Sequence, residues 1–172
     1  TSTSEPALSI RDNIPLLVNR NTLLLALGMG GAFAVFIGFS SWLPAYYNET
    51  RGMTPEQAAS LVAVMPLIAG VANPISGLLQ SKLGKRKPML ILSGLMLPIL
   101  AFGSFLLEND IIVTICVMGL GATFSIFIIA ALTIPMELPG VGLSQVAMVT
   151  ATILTMGNFA GVISPIFVGS LT

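Results

Sequence analysis

The sequence predicts an all-α membrane protein, a polytopic bundle with five transmembrane helices, and three observations carry that prediction. The first is composition: 55% of the 172 residues are hydrophobic and 8% are charged, with a mean hydropathy of +0.96. A soluble domain carries about 25% charged residues, so this chain could not maintain a water-facing surface. The second is segregation of charge. All seven Lys/Arg (Arg11, Arg20, Arg51, Lys82, Lys85, Arg86, Lys87) and all seven Asp/Glu (Glu5, Asp12, Glu49, Glu56, Glu108, Asp110, Glu137) fall in or beside breaks between apolar runs. A charge at the bilayer centre costs roughly 2.5–3.5 kcal/mol on insertion scales, which accounts for their placement. The third is run length, since each apolar run is near or above the ~20 residues that cross the hydrocarbon.

Residues 1–21 are polar and read as a linker, with a short amphipathic stretch at 14–18. The first span covers about residues 22–47. Thr54, Pro55, Glu56 and Gln57 form a helix-start signal, with an N-cap hydroxyl, proline at the first helical position and an acid in the first turn. They open a second span over about 55–80. A basic break from Lys82 to Lys87 leads to a third span at 88–107, and Glu108, Asn109 and Asp110 form a tight polar turn before a fourth at 111–136. A turn from Glu137 to Gly142 precedes the fifth, at 144–172.

Orientation follows from the bases. With the N-terminal segment cytoplasmic, six of the seven bases lie inside and only Arg51 lies outside, while the outer breaks are acidic. An odd number of spans leaves the C-terminus outside, so both ends read as cut and a sixth span is expected downstream. The lone Cys116 excludes an intrachain disulfide framework. No histidine is present, which removes the commonest metal ligand and the easiest proton shuttle. No ionisable residue lies deep in a span, so an intramembrane enzyme lacks its catalytic pair, and neither a metal, a cofactor nor a nucleic-acid partner is expected.

The most specific local pattern is Gly77, Ser81, Lys82, Gly84, Lys85, Arg86 and Lys87. It resembles the signature loop of the major facilitator superfamily, which joins the second and third helices of each six-helix half. Gly77 would admit a neighbouring helix, Gly84 a tight reversal, and the bases would anchor the loop at an anionic leaflet. A plain positive-inside loop would also use the basic cluster. Ser81 departs from the family pattern, which has an acid there; a serine can cap a helix N-terminus but cannot neutralise Lys85 or Arg86. Glu137 is then the expected partner of Arg86 or a neighbouring lysine, across the cytoplasmic surface.

The first span and its following loop, with Trp42, Pro44, Tyr46, Arg51, Gly52 and Ala58, resemble the seventh helix of the cyanate/nitroimidazole-type and anion/cation-symporter branches of that superfamily. The segment Gly157, Asn158, Gly161, Pro165 and Gly169 resembles their eleventh helix. The resemblance implies helices seven to eleven, five of the six helices of a C-terminal half, whose partners are the lipid bilayer, an N-terminal half, a final helix, a small-molecule substrate and, where transport is coupled to them, protons. It further implies a multi-pass protein of a bacterial or archaeal cytoplasmic membrane that moves a small polar or anionic solute by alternating access. Efflux of hydrophobic compounds by the same fold, or a non-transporting anchor or assembly subunit, are the competing readings.

Small residues mark expected packing faces: Gly157, Gly161, Pro165 and Gly169 at a four-residue period, Gly70, Asn73, Pro74 and Gly77 on the second span, and Gly31, Ala34 and Gly38 on the first. Trp42, Tyr46, Ser41, Asn73 and Asn158 are the foremost candidates to meet substrate. Ser40, Tyr47, Ser76, Thr123, Ser125, Thr152 and Thr155 are further polar or aromatic residues within the spans. A serine or threonine can instead bond back within its own helix, the tyrosines suit an interfacial belt, and the two amides suit interhelical packing equally.

Overall fold

A computed structural model describes residues 10–84, 86–137 and 142–170. Residues 1–9 of the expected linker, Lys85, the loop at 138–141 and the last two residues lie outside the described residues. Among the described residues six α-helices follow in order: α1 Ile10–Leu17, α2 Arg20–Arg51, α3 Pro55–Leu83, α4 Arg86–Leu106, α5 Asp110–Thr133 and α6 Leu143–Gly169. A single 3₁₀ turn, Ile134–Glu137, extends α5. There is no strand among the described residues. Five of the helices are long and apolar enough to cross a membrane.

Local chemistry sets the helix ends. The Thr54 hydroxyl accepts from the Gln57 N–H at 3.3 Å while the Gln57 side chain accepts from the Thr54 N–H at 3.1 Å, a reciprocal cap ahead of Pro55. The Asn109 side chain likewise accepts from the N–H groups of Ile111 and Ile112 at the start of α5. Gly52 and Gly84 end α2 and α3 in the left-handed region, at φ 63° and 58°, which a side chain would oppose. Helix α2 runs on past the expected limit of its span through Asn48, Glu49 and Thr50. Those residues are polar but helix-compatible, and only Gly52 stops the helix. Pro44, Pro66, Pro74, Pro98 and Pro165 all sit inside continuous helices, as membrane helices permit.

Helix α2 packs most extensively on α6, and α5 packs on both α3 and α4, with α2 touching α3 to join the two groups. The shared core includes Met29, Leu43, Met65, Leu97, Val117, Leu120, Phe124 and Ile153. Within it Phe36 stacks on Phe124 with ring centroids 4.1 Å apart. Large apolar residues such as Val71, Leu78, Leu95, Phe102 and Ile166 remain exposed, which suits helices whose outer surface meets lipid. The charges among the described residues sort to two ends of the bundle. One end carries Arg20, Lys82, Arg86, Lys87 and Glu137, with Arg11 and Asp12 on α1 just before it in the chain, and the other carries Glu49, Arg51, Glu56, Glu108 and Asp110.

Candidate functional site

The glycine period of α6 meets a matching ladder on α2. A Cβ on Gly157 would lie 2.8 Å from Met29 Cγ and 3.2 Å from Phe33 Cδ2, and one on Gly169 would lie 2.6 Å from Trp42 Cζ2. Gly161 receives Ile37, and Gly38 receives the Ser164 side chain. Small residues thus let side chains of one helix seat against the backbone of the other, the source of close approach where lipid supplies no hydrophobic drive. Two hydrogen bonds lock the register. Trp42 Nε1 donates to the Pro165 carbonyl at 2.9 Å, and the Ser164 hydroxyl donates to the Ala34 carbonyl at 2.8 Å. Pro165 acts through its carbonyl, and Trp42 spends its one donor on helix pairing.

The α3–α5 seam is closer still. A Cβ on Gly121 would overlap the Met65 carbonyl oxygen, which is backbone and cannot rotate away. Ser125, one of the polar residues within the spans, is fully buried; its hydroxyl donates to the Ala69 carbonyl at 2.7 Å, tying α5 to α3, and lies 3.2 Å from the Gly121 carbonyl of its own helix. Gln80 is also buried and its Nε2 donates to the Ile126 carbonyl at 2.9 Å, while its Oε1 has no partner among the described residues. Ser76 is buried as well. By contrast, Gly70 and Gly77 have open space where a Cβ would stand, and so does Gly31. Packing across Gly70 and Gly77 is therefore not realised among the described residues; with the exposed Asn73 and Pro74 they leave an uncovered small-residue face on α3.

At the acidic end, α2 caps α4. The last carbonyls of a helix have no intrahelical donor, and here three side chains of α2 supply donors. Tyr47 donates to the Ser104 carbonyl at 3.0 Å and Tyr46 to that of Phe105 at 3.3 Å. Arg51 donates to the Leu107 carbonyl and, at 3.2 Å, to that of Glu108. It also pairs with Asp110 at 3.4 Å, and its guanidinium lies 5.2 Å from the Tyr47 ring centroid. A cation at the C-terminus of a helix is favoured by the helix dipole. The Tyr46 hydroxyl is therefore engaged in capping rather than open to a ligand, and Tyr47 is fully buried.

At the basic end, Gly84 makes the reversal expected of it, its N–H donating to the Gln80 carbonyl at 3.0 Å. Ser81 does not cap a helix start; its hydroxyl donates back to the Leu78 carbonyl at 2.9 Å, because it stands in the last turn of α3, where free carbonyls abound. Arg86 Nε lies 2.9 Å from Glu137 Oε1. The N–H is not aligned for a hydrogen bond, so the contact is one of charge, joining the start of α4 to the end of α5. A half-exposed pair of this kind is worth about 0–1 kcal/mol. Lys82 and Lys87 are exposed and take part in no ion pair among the described residues.

Ser40, Ser41 and Thr152 bond back to carbonyls four residues earlier in their own helices. Asn158 does the same through Nδ2, to Leu154 at 2.9 Å, and its carbonyl end, on an exposed surface, has no partner among the described residues. Asn73 is exposed with no hydrogen bond among the described residues. At 1.5 Å per residue, Asn73 stands roughly 15 Å and Asn158 roughly 22 Å along their helices from the basic end. Both stand well inside helices long and apolar enough to cross a membrane. The described residues include no group of His, Cys, Asp and Glu able to hold a metal ion.

Five apolar helices with charge confined to their ends, paired through glycine seams and joined at one end by a basic turn, define a polytopic α-helical membrane protein. The profile of the Major Facilitator Superfamily matches residues 2–165. The chain belongs to that superfamily, whose members are membrane transporters. Comparisons with curated proteins and with solved structures gave no match.

Proposed function

We propose that the chain forms one half of a secondary active transporter that moves a small polar or anionic solute by alternating access. The observation that carries this reading is the pair of amides, Asn73 and Asn158, exposed at membrane depth with hydrogen-bonding capacity unspent. An unsatisfied amide facing hydrocarbon costs several kcal/mol, so these faces suit a polar path rather than lipid. The likeness of the Trp42–Ala58 region to the cyanate/nitroimidazole-type and anion/cation-symporter branches supports a small solute. A second six-helix half would cover the small-residue face of α3 and enclose the path, with a sixth helix completing this one. Placing the basic end in the cytoplasm satisfies the positive-inside rule. Arg86 and Glu137 then link α4 and α5 at the inner gate.

The test is transport in vesicles containing the full-length transporter of which this chain forms half, screening labelled small polar and anionic solutes against hydrophobic dyes. Asn73→Leu and Asn158→Leu are each expected to lower uptake by about tenfold, the effect of losing one hydrogen bond to a buried polar ligand, with near-normal protein yield. Dye movement without polar-solute movement would favour efflux of hydrophobic compounds, and no movement of either would favour the anchor reading.

A further inference from the structure

The tightest seams of the bundle sort its helices into two bodies. Among the described residues, every glycine seat closer than an ordinary van der Waals contact stays within one of them. Gly157, Gly161 and Gly169 of α6 receive side chains of α2. Gly103 of α4 receives Cys116 of α5, Gly119 of α5 receives Leu100 of α4, and Gly121 meets the backbone of α3. Gly28 of α2 does face the other body, but a Cβ there would lie 3.4 Å from Phe127, at an ordinary spacing. Helix α1 goes with the first body, touching α6 and α2. The polar links between the bodies are placed just as unevenly. Tyr46, Tyr47 and Arg51 of α2 hold the last carbonyls of α4 and the turn after it, and Arg51 reaches Asp110 of α5, all at the acidic end. Toward the basic end, polar side chains turn back into their own body. Thr22 of α2 donates to the Leu16 carbonyl of α1 at 3.0 Å, Ser93 of α4 to the Met89 carbonyl of its own helix at 2.7 Å, and Arg86 pairs with Glu137. The first turns of α2 and α4 stand apart there around a cleft of about 270 Å³. Midway, the bodies meet through the stacked rings of Phe36 and Phe124, the kind of apolar packing that slides by small steps.

We propose that α1, α2 and α6 pivot as one unit against α3, α4 and α5, with the capped acidic end as the fixed point and the basic end as the one that moves. A rotation of about 10° over the ~30 Å of the hydrocarbon would displace the free end by about 5 Å. The motion lies within one half and is separate from alternating access between two halves. It requires no substrate and no choice of orientation, so the pivot and the transport reading can fail separately.

The test is double electron–electron resonance on the full-length transporter in lipid nanodiscs, with spin labels on pairs of cysteines in a background freed of native thiols. Labels at Leu83 and Leu143 span the two bodies at the basic end, and labels at Glu56 and Phe167 span them at the acidic end. Labels at Leu83 and Met136, and at Leu23 and Leu143, each stay within one body. All six positions are exposed. The 83/143 distances are expected to be two-peaked or broadened by about 5 Å, the free-end displacement over the hydrocarbon thickness, while the other three pairs stay narrow. Arg51→Gln, which removes the guanidinium from the cap, should broaden the 56/167 pair, and Arg51→Lys should broaden it less. A narrow 83/143 distribution, or a 56/167 or within-body pair as broad as 83/143, would overturn the pivot. An unchanged 56/167 pair in folded Arg51→Gln protein would overturn the cap as its fixed point. The distributions of the unaltered Arg51 protein decide the pivot whether or not a variant folds.

Discussion

Replacing Gly121 by valine is expected to abolish recovery of folded protein. The position faces the backbone of α3, where a Cβ would overlap the Met65 carbonyl and lie 3.2 Å from the Ala69 nitrogen. Neither can rotate aside, so α3 and α5 must separate along their length. That separation would strain the Ser125 bond to the Ala69 carbonyl and the Gln80 bond to the Ile126 carbonyl. Overpacking of a tight core costs about 3 kcal/mol at the upper end of its usual range, a large part of the 5–15 kcal/mol that typically holds a protein folded. Gly157→Ala provides the comparison. Its nearest obstacles are the side chains of Met29 and Phe33, and methionine readily adopts another shape, so the cost should stay near 1 kcal/mol. Size-exclusion recovery and thermal melting in detergent check both. A Gly121→Val protein melting like the wild type would refute the α3–α5 seam.

The second large effect is expected at Arg51. Changing it to alanine removes the donors that reach the Leu107 and Glu108 carbonyls and the partner of Asp110. Hydrogen bonds to charged groups are worth about 1.5–3 kcal/mol, and partial access of water to the turn places the expected loss near 2 kcal/mol. Tyr47→Phe should cost about 1–2 kcal/mol for a different reason, since it leaves the Ser104 carbonyl without its donor in a buried setting. Arg51→Lys should restore only part of the loss, because one ammonium cannot span two carbonyls and a carboxylate as a planar guanidinium does. Melting temperatures of the three variants, ordered Arg51→Ala below Arg51→Lys below wild type, test this capping arrangement.

Much of the fold was legible because membrane burial writes itself into sequence at low resolution. Excluding charge from hydrocarbon marks the spans, and Thr54 with Pro55 and Gly84 mark ends that the structure reproduces. The four-residue period in α6 was also legible, because a seam that repeats along a helix leaves a repeating signal. Gly121 left none. It is one glycine in an apolar run, and its partner is a carbonyl that every residue possesses. The roles of Tyr46, Tyr47 and Ser125 were hidden for the same reason, since each donates to backbone on another helix. Gln80 did carry a signal, an amide in an apolar helix two residues before the basic loop. The arrest of α2 was misplaced because Asn48, Glu49 and Thr50 read as a break while remaining compatible with helix.

The central claim is that Asn73 and Asn158 face a water-accessible path. Cysteine accessibility tests it without knowledge of the substrate. In a Cys116→Ala background, the only native thiol is removed, and single cysteines are placed at Asn73, Asn158, Val71 and Ile163. At about 100° per residue, Val71 and Ile163 point roughly 160° and 140° away from the amides on the same helices, and both are exposed apolar positions. The cysteines at 73 and 158 should react with a hydrophilic thiosulfonate in intact membranes, while those at 71 and 163 stay unmodified in lipid. Protection of 73 and 158 to the same degree as 71 and 163 would contradict the polar path that α3 and α6 are proposed to line.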